Sequence, residues 1–238
     1  EVMNSKLTEE IEMERKLEKE RREFIATISH ELKSPITIIS GQLEGMIYNI
    51  GKYKDRDKYL KESYNVTAKM RELVQEILNL SERENGEFKY KFTQVNFSRL
   101  VKYTIQELRY FIDGKNLQLD LMIKENIIIT ADEKLIKKVI TNIIKNAITY
   151  SPDKEKIIVK LDKNILHIEN TGVTIPEEQI GEVFNAFDRV VKSRNRKLGV
   201  IGLGLYIVKT ILDKHPNIKY KITSEKNSVI FTMNFNEG

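Results

Sequence analysis

Residues 24–37 read FIATISHELKSPIT, and the spacing of their apolar members decides what the first third of the chain becomes. Phe24, Ile28, Leu32 and Ile36 recur every fourth residue, and Ile39, Leu43, Met46 and Ile50 continue the series at steps of three and four. That is one apolar stripe along a long helix. His30 lies two positions beyond Ile28, about 200° around the helix at ~100° per residue, so it is expected to face water. Glu31 stands beside it, able to orient or deprotonate the imidazole and leave the other ring nitrogen free as a nucleophile. Ser34, one turn on, shares the face of His30, where its hydroxyl is suited to positioning a water. Pro35 deletes the amide that would bond the Glu31 carbonyl, so a bend is expected next to the histidine.

Upstream, residues 1–23 are mostly Glu, Lys and Arg around sparse apolar positions such as Leu7, Ile11, Met13 and Leu17. So brief a repeat fits either a solvated single helix or a short coiled-coil stalk leading into the next helix. Downstream, a loop is expected near Gly51 to Asp57. A second helix follows, with Leu60, Tyr64, Met70, Leu73, Ile77 and Leu80 on its stripe and Gly86 as its stop. Two helices bury little surface by themselves, so the hairpin is expected to dimerise into a four-helix bundle.

Composition changes after this point. The first 85 residues hold three Gly and one Pro, whereas the remainder has the glycines, prolines and short β-rich runs of a mixed domain. A helix is expected at 97–112, strands at 118–123 and 127–130, and then a helix opened by Asp132 as N-cap and running LIKKVITNIIKNAITY to Tyr150. Its apolar face is Ile136, Ile140, Ile143, Ile144 and Ala147. Asn142 and Asn146, four apart, share a flanking stripe and project together. Strands at 156–161 and 164–169 lead into NTGVTIP at 170–176, then FNAFDRV at 184–190, a basic stretch through Arg196, and GVIGLGLYIVK at 199–209. A glycine-rich turn that opens a helix offers backbone donors and a positive dipole end to phosphate oxygens. Taken singly, each motif has a bland reading: paired Asn on a solvated flank, glycines for a tight turn, an exposed basic loop.

Composition excludes some function classes. The 238 residues carry a net charge of +5, but 40 basic residues are interspersed with 35 acidic ones and form no aromatic-rich basic stripe, which argues against nucleic-acid binding. With no Cys there is no disulfide and no thiolate zinc site. His167, on the apolar strand ILHIEN, reads as a sheet-face histidine, and His215 as a helix C-terminal cap.

In order, the segment around His30 and those around Asn146, Gly172, Phe184 and Gly202 resemble the H, N, G1, F and G2 boxes of sensor histidine kinases, over residues 24–235. The resemblance implies a helical-hairpin dimerisation domain followed by an α/β sandwich that binds ATP. Its divisions would be a coiled-coil-like signalling linker at 1–23, a dimerisation and histidine phosphotransfer domain at 24–86, and a catalytic ATP-binding domain at 87–238. It implies that His30 accepts phosphate from ATP, that Glu31 assists, and that Ser34, where Thr or Asn is commoner, helps dephosphorylate the partner. Asn146 would hold Mg²⁺, with Asn142 and Lys145 near the phosphates and Tyr150 at the adenine pocket. Gly202, Leu203 and Gly204 would hold the triphosphate, and Asn170 and Gly172 would line the base. Phe184 and Phe187 would anchor a lid over about 177–203, and Arg189, ahead of Lys192, Arg194 and Arg196, would neutralise developing charge.

Two departures stand out. Asn170 occupies the place of the usual base-recognising Asp, and Val200 and Ile201 replace the common Gly and Thr or Ser. The Glu-Asn-Thr-Gly form resembles kinases of the vancomycin-resistance sensor type, which implies an antibiotic response. The expected partners are a response regulator and a second copy of the chain. The expected setting is the cytoplasmic part of a membrane sensor, anchored only through a segment upstream of Glu1. Two rival readings remain open: a related ATPase or serine-directed kinase, which gives the His30 face no task, and a non-catalytic scaffold that binds no ATP.

Overall fold

The computed structural model describes residues 2–84, 88–185 and 202–235, and it divides into two units, 1–85 and 86–238. In the first unit, helix α1 (Val2–Ile47) runs unbroken through Pro35, a 3₁₀ turn spans Gly51–Lys54, and helix α2 (Arg56–Glu84) returns. Most of the connection expected at 51–57 is thus helical. The hairpin closes at Gly45, where a Cβ would lie 2.3 Å from the Tyr53 ring, so only glycine admits the turn against α1. Leu17, Leu80 and Gly86 fall outside the described side chains.

The helices meet through a mixed seam. Met46, Tyr59 and Leu73 are buried, and between them Ser63 donates to the Gln42 carbonyl oxygen at 2.6 Å while the Gln42 amide donates to Glu62. The expected stripe only partly coincides with this seam. Ile36 and Leu43 are 48% and 42% exposed, and Leu60 and Tyr64 are 53% and 68% exposed. The reason is geometric: at ~100° per residue, Ile25, Ile36, Leu43 and Ile47 span about 40° of α1, beside the seam and not in it.

The second unit begins with an element that no local pattern announced, strand β1 (Thr93–Asn96), which pairs antiparallel with β3 (Ile128–Ala131). Asn96 then caps helix α3 (Phe97–Glu107), its side chain accepting from the Arg99 amide. The helix expected at 97–112 breaks at Leu108 and resumes as α4 (Arg109–Gly114). Strand β2 (Gln118–Ile123) follows. After β3, Asp132 caps α5 (Glu133–Tyr150) as expected, accepting from the Leu135 amide. Strands β4 (Lys156–Asp162) and β5 (Ile165–Thr171), a short turn α6 (Glu177–Ile180), helix α7 (Gly204–Leu212) and strands β6 (Ile218–Glu225) and β7 (Ser228–Phe235) complete it.

The five-stranded sheet has the order β2-β4-β5-β7-β6 and is mixed, with β2 parallel to β4 and every other pair antiparallel. Its strands alternate. Ile157, Val159 and Leu161 of β4, Leu166 and Ile168 of β5, and Met233 and Phe235 of β7 are buried, and so are Val101 and Ile105 of α3, Ile136, Ile140 and Ile144 of α5, and Ile207, Val208 and Ile211 of α7. On the opposite face of β5, half-buried His167 lies 3.2 Å from Glu169, as a sheet-face histidine should. The result is an α/β sandwich covered by helices on one side.

Candidate functional site

The residues expected to carry chemistry form two sets, one in each unit. On α1, His30 and Ser34 are exposed and one turn apart, with Glu31 half-buried to one side of them. Ser29 and Thr37 fold their hydroxyls back onto the carbonyls of Ile25 and Lys33, both at 2.9 Å, whereas among the described residues the Ser34 hydroxyl makes no such bond. Pro35 supplies no amide for the carbonyl of Glu31. The face therefore presents an imidazole and an uncommitted hydroxyl to solvent, with the Glu31 carboxylate half-buried at its side.

The second set lines α5. A Cβ placed on Gly204, the first residue of α7, would lie 3.5 Å from Asn142 Oδ1 and 3.6 Å from Asn146 Oδ1. The glycine turn expected to receive phosphates is therefore brought against the two Asn expected to accompany it, and the missing side chain keeps that space clear. Gly202 adopts a φ of 80°, a conformation that only glycine takes without strain, and Leu203 is buried beneath the turn. The N-cap residue Leu203 has no side chain able to cap α7, so among the described residues its first amides and positive dipole end stay available to an anion.

At the other end of α5, Tyr150 is half-buried and Ser151 buried. Gly172 follows β5 with a φ of 82°, and a Cβ there would lie 2.6 Å from Glu155 Cγ and 2.7 Å from Pro152 Cδ, so the chain after β5 is pressed against the segment leaving α5. Asn170 is 8% exposed and continues the buried row of Leu166 and Ile168. Asn142 and Tyr150 are separated by ~12 Å along the helix axis at about 1.5 Å per residue. Along this path Asn142 Nδ2, Ser151 Oγ and Asn170 Nδ2 are buried without a partner among the described residues. Orphaned buried donors are costly in a native fold, and their recurrence here fits a polar ligand lying along α5. Lys145 is exposed on the same helix. Among the described residues no group of three or more acidic, His or Cys side chains gathers to hold a metal, so a cation here would rely on Asn146 and on the ligand's own oxygens.

Lys115 is a residue that motif reading missed. Its ammonium donates to the carbonyls of Ile148, Thr149 and Ser151 at 2.8–3.0 Å, closing the C-terminus of α5 beside Tyr150. Burial pulls its pKa below the ordinary lysine value. No local signal marks it, because its partners lie more than 30 residues away. His215 is also more than a cap. Buried at 2% exposure, it bonds the Ile211 carbonyl through Nδ1 and receives the Asp132 amide on Nε2, with the rings of Tyr90 and Phe92 edge-on to it. Phe184 meets Tyr220 edge-to-face. Phe187, Arg189, Lys192, Arg194, Arg196, Val200 and Ile201 lie outside the described residues.

Comparison with known proteins gives two family matches in order. Residues 20–86 match the His Kinase A (phospho-acceptor) domain, and residues 131–237 match the family of Histidine kinase-, DNA gyrase B-, and HSP90-like ATPases. Among curated relatives, the chain is 32% identical to Sensor protein VanSB of Enterococcus faecalis, over 95% of this chain and 52% of that protein. It is 29% identical to Sensor histidine kinase WalK of Bacillus subtilis, over 93% of this chain and 38% of that one. It thus spans about half the length, or less, of these relatives. Among solved structures, histidine kinase AdeS of Acinetobacter baumannii superposes with a TM-score of 0.70 at 26% identity, covering 87% of this chain and 97% of AdeS. Histidine kinase ThkA, solved in complex with response regulator protein TrrA, superposes with a TM-score of 0.70 at 25% identity, covering 95% and 65%. Among the described residues, no helix is long and apolar enough to cross a membrane.

Proposed function

The chain belongs to the sensor histidine kinases of two-component systems, and from that premise we propose that it phosphorylates itself on His30 with ATP and passes the phosphoryl group to an Asp of a response regulator. The carrying observation is the approach of Gly204 to Asn142 and Asn146, which joins a phosphate-ready helix terminus to the polar flank of α5. In the first step one imidazole nitrogen of His30 attacks the γ-phosphorus, the bond to the bridging oxygen breaks, and ADP leaves with that electron pair. Glu31, adjacent on the helix, is suited to hold the other ring nitrogen and take up its proton. Ser34 serves the reverse hydrolysis by orienting a water toward the phosphorylated regulator.

ATP lies along α5 in this reading, its phosphates at Asn142, Lys145, Gly202, Leu203 and Gly204 and its base at Tyr150, Asn170 and Gly172. Mg²⁺, when bound through Asn146, supplies neutralisation of the phosphate charge. Arg189 is kept as a further neutralising group. The regulator as partner is supported by the ThkA–TrrA complex. A homodimer is supported by the exposed apolar faces of both hairpin helices, and a place at the inner side of a cell membrane by the sensor proteins that the chain resembles.

The test is incubation with Mg²⁺ and γ-labelled ATP, comparing the parent chain with His30→Gln. Acid-labile, alkali-stable label on the parent that is absent from the variant is the expected result. ATP binding without label would shift the reading to an ATPase. Absence of binding would leave a scaffold.

A further inference from the structure

The base end of the site contains an amide where a carboxylate would recognise adenine alone. Asn170 is nine-tenths buried, sits on the helix-covered row of β5 after Leu166 and Ile168, and has its Nδ2 buried with no partner among the described residues. Its neighbours explain why no described residue satisfies it. Thr171, on the other face of the strand, spends its hydroxyl on Glu155, and Gly172 turns away with a φ of 82°. The strand partners of Asn170 are Ile157 and Val229, both apolar. The donor that the protein leaves open is therefore available to a ligand.

A carboxylate offers only acceptors, so it binds the exocyclic amine of adenine and repels a carbonyl oxygen at the same position. An amide offers an acceptor and a donor side by side. It pairs with adenine by accepting from the 6-amino group and donating to N1. Turned half a revolution about its last torsion, which is broad and nearly two-fold in Asn, it pairs with a 6-oxopurine by donating to O6 and accepting from N1–H. Rejection of the wrong base requires a buried group that the wrong base leaves unpaired or repelled. With Asn170 neither purine edge does so.

We infer that Asn170 makes this site tolerant of 6-oxopurine nucleotides as well as adenine nucleotides. The inference rests on the proposed nucleotide site on α5 and concerns only its choice of base. Inosine diphosphate is the probe, because it differs from ADP only along the 6-oxo and N1 edge and carries no 2-amino group.

Equilibrium titration calorimetry of the full chain with Mg²⁺ and each nucleotide reads the affinity ratio without any turnover. The parent is expected to bind inosine diphosphate within about tenfold of ADP, since one neutral hydrogen bond is exchanged for another. Asn170→Asp is expected to widen the preference for ADP by at least about tenfold, since a charged acceptor then meets O6. A parent that binds ADP but discriminates more than about a hundredfold against inosine diphosphate, beyond what a few unmatched hydrogen bonds account for, overturns the inference and leaves the nucleotide site standing. So does an Asn170→Asp chain with an unchanged ratio. Failure of the parent to bind either nucleotide overturns the site and the inference together.

Discussion

Helix α5 and the two hairpin helices draw on the same residue types, Ile and Leu among Lys and Glu, yet they end in different surroundings. On α5, Ile136 and Ile140 have no exposed surface, sealed between α3, α7 and the sheet. On α1, Leu43 and Ile47 are 42% and 69% exposed, and on α2 Leu60 and Tyr64 are more than half exposed. A sheet with helices on one side closes its own core. A two-helix hairpin has one seam and leaves the neighbouring stripes bare, so it gains full burial only from a further helix pair. The α/β unit should therefore be stable alone and the hairpin only in association.

The largest effect separates the two regions by stability. Phe97 is fully buried and meets Phe235 edge-to-face with ring centroids 5.3 Å apart. Phe97→Ala is expected to cost about 3–5 kcal/mol, the range for emptying an aromatic site in a closed core. Chemical denaturation at several chain concentrations checks this: the α/β transition should fall in midpoint by the same amount at every concentration. A concentration-dependent loss there would break the comparison.

The converse experiment addresses the hairpin. Leu43→Glu with Ile47→Glu adds two charges to surface already half open in the single chain, so the hairpin seam at Met46, Tyr59 and Leu73 is untouched. Paired with a second copy, the same charges would be buried without partners, and dimer affinity should fall at least a hundredfold, about 2.7 kcal/mol. Sedimentation equilibrium of parent and variant reads it directly. A variant that associates like the parent would mean that the bare stripes are not the contact.

How much of this was legible depends on whether a feature is local. The helix that runs through Phe24, the cap at Asp132 and the turn at Gly202 to Gly204 are set by local spacing and turn chemistry, and each appears where these put it, whereas the apolar stripe of that helix only partly enters the seam. The break at Leu108 and the strand β1 are set by partners elsewhere, β1 by its pairing with β3 some 35 positions on, and no pattern in TQVN reveals that. The site divides in the same way. Asn142, Asn146 and Gly204 were readable as motifs, while Lys115 was invisible because its three carbonyls belong to the far end of another helix. Lys115→Met keeps the aliphatic stem and removes the donor, leaving three helix-terminal carbonyls without it. A loss of about 1–3 kcal/mol is expected in thermal unfolding of the α/β unit, together with weaker nucleotide binding because Tyr150 sits in the released turn.

The smallest expected effect is a dependence on pH, and it too resides in the closed core. Nδ1 of His215 faces the Ile211 carbonyl and must carry the ring proton, so Nε2 is the lone-pair nitrogen that accepts from the Asp132 amide, a contact only a neutral ring makes. Burial holds its pKa below the ordinary histidine value, against the opposing pull of the Ile211 carbonyl and the Asp132 carboxylate. In the window between the folded value and about 6.5, the unfolded chain therefore binds more protons than the folded one, and stability rises with pH there. The contribution is complete above about pH 6.5 and is lost as pH falls through the folded value, with a slope no steeper than ~1.4 kcal/mol per pH unit for one proton. Denaturation midpoints of the α/β unit between pH 5 and 8 should show this slope in the parent and lose it in His215→Gln, whose amide reaches similar partners without titrating. An equal slope in both chains would assign the acid sensitivity to other groups and leave His215 a packed ring among Tyr90 and Phe92.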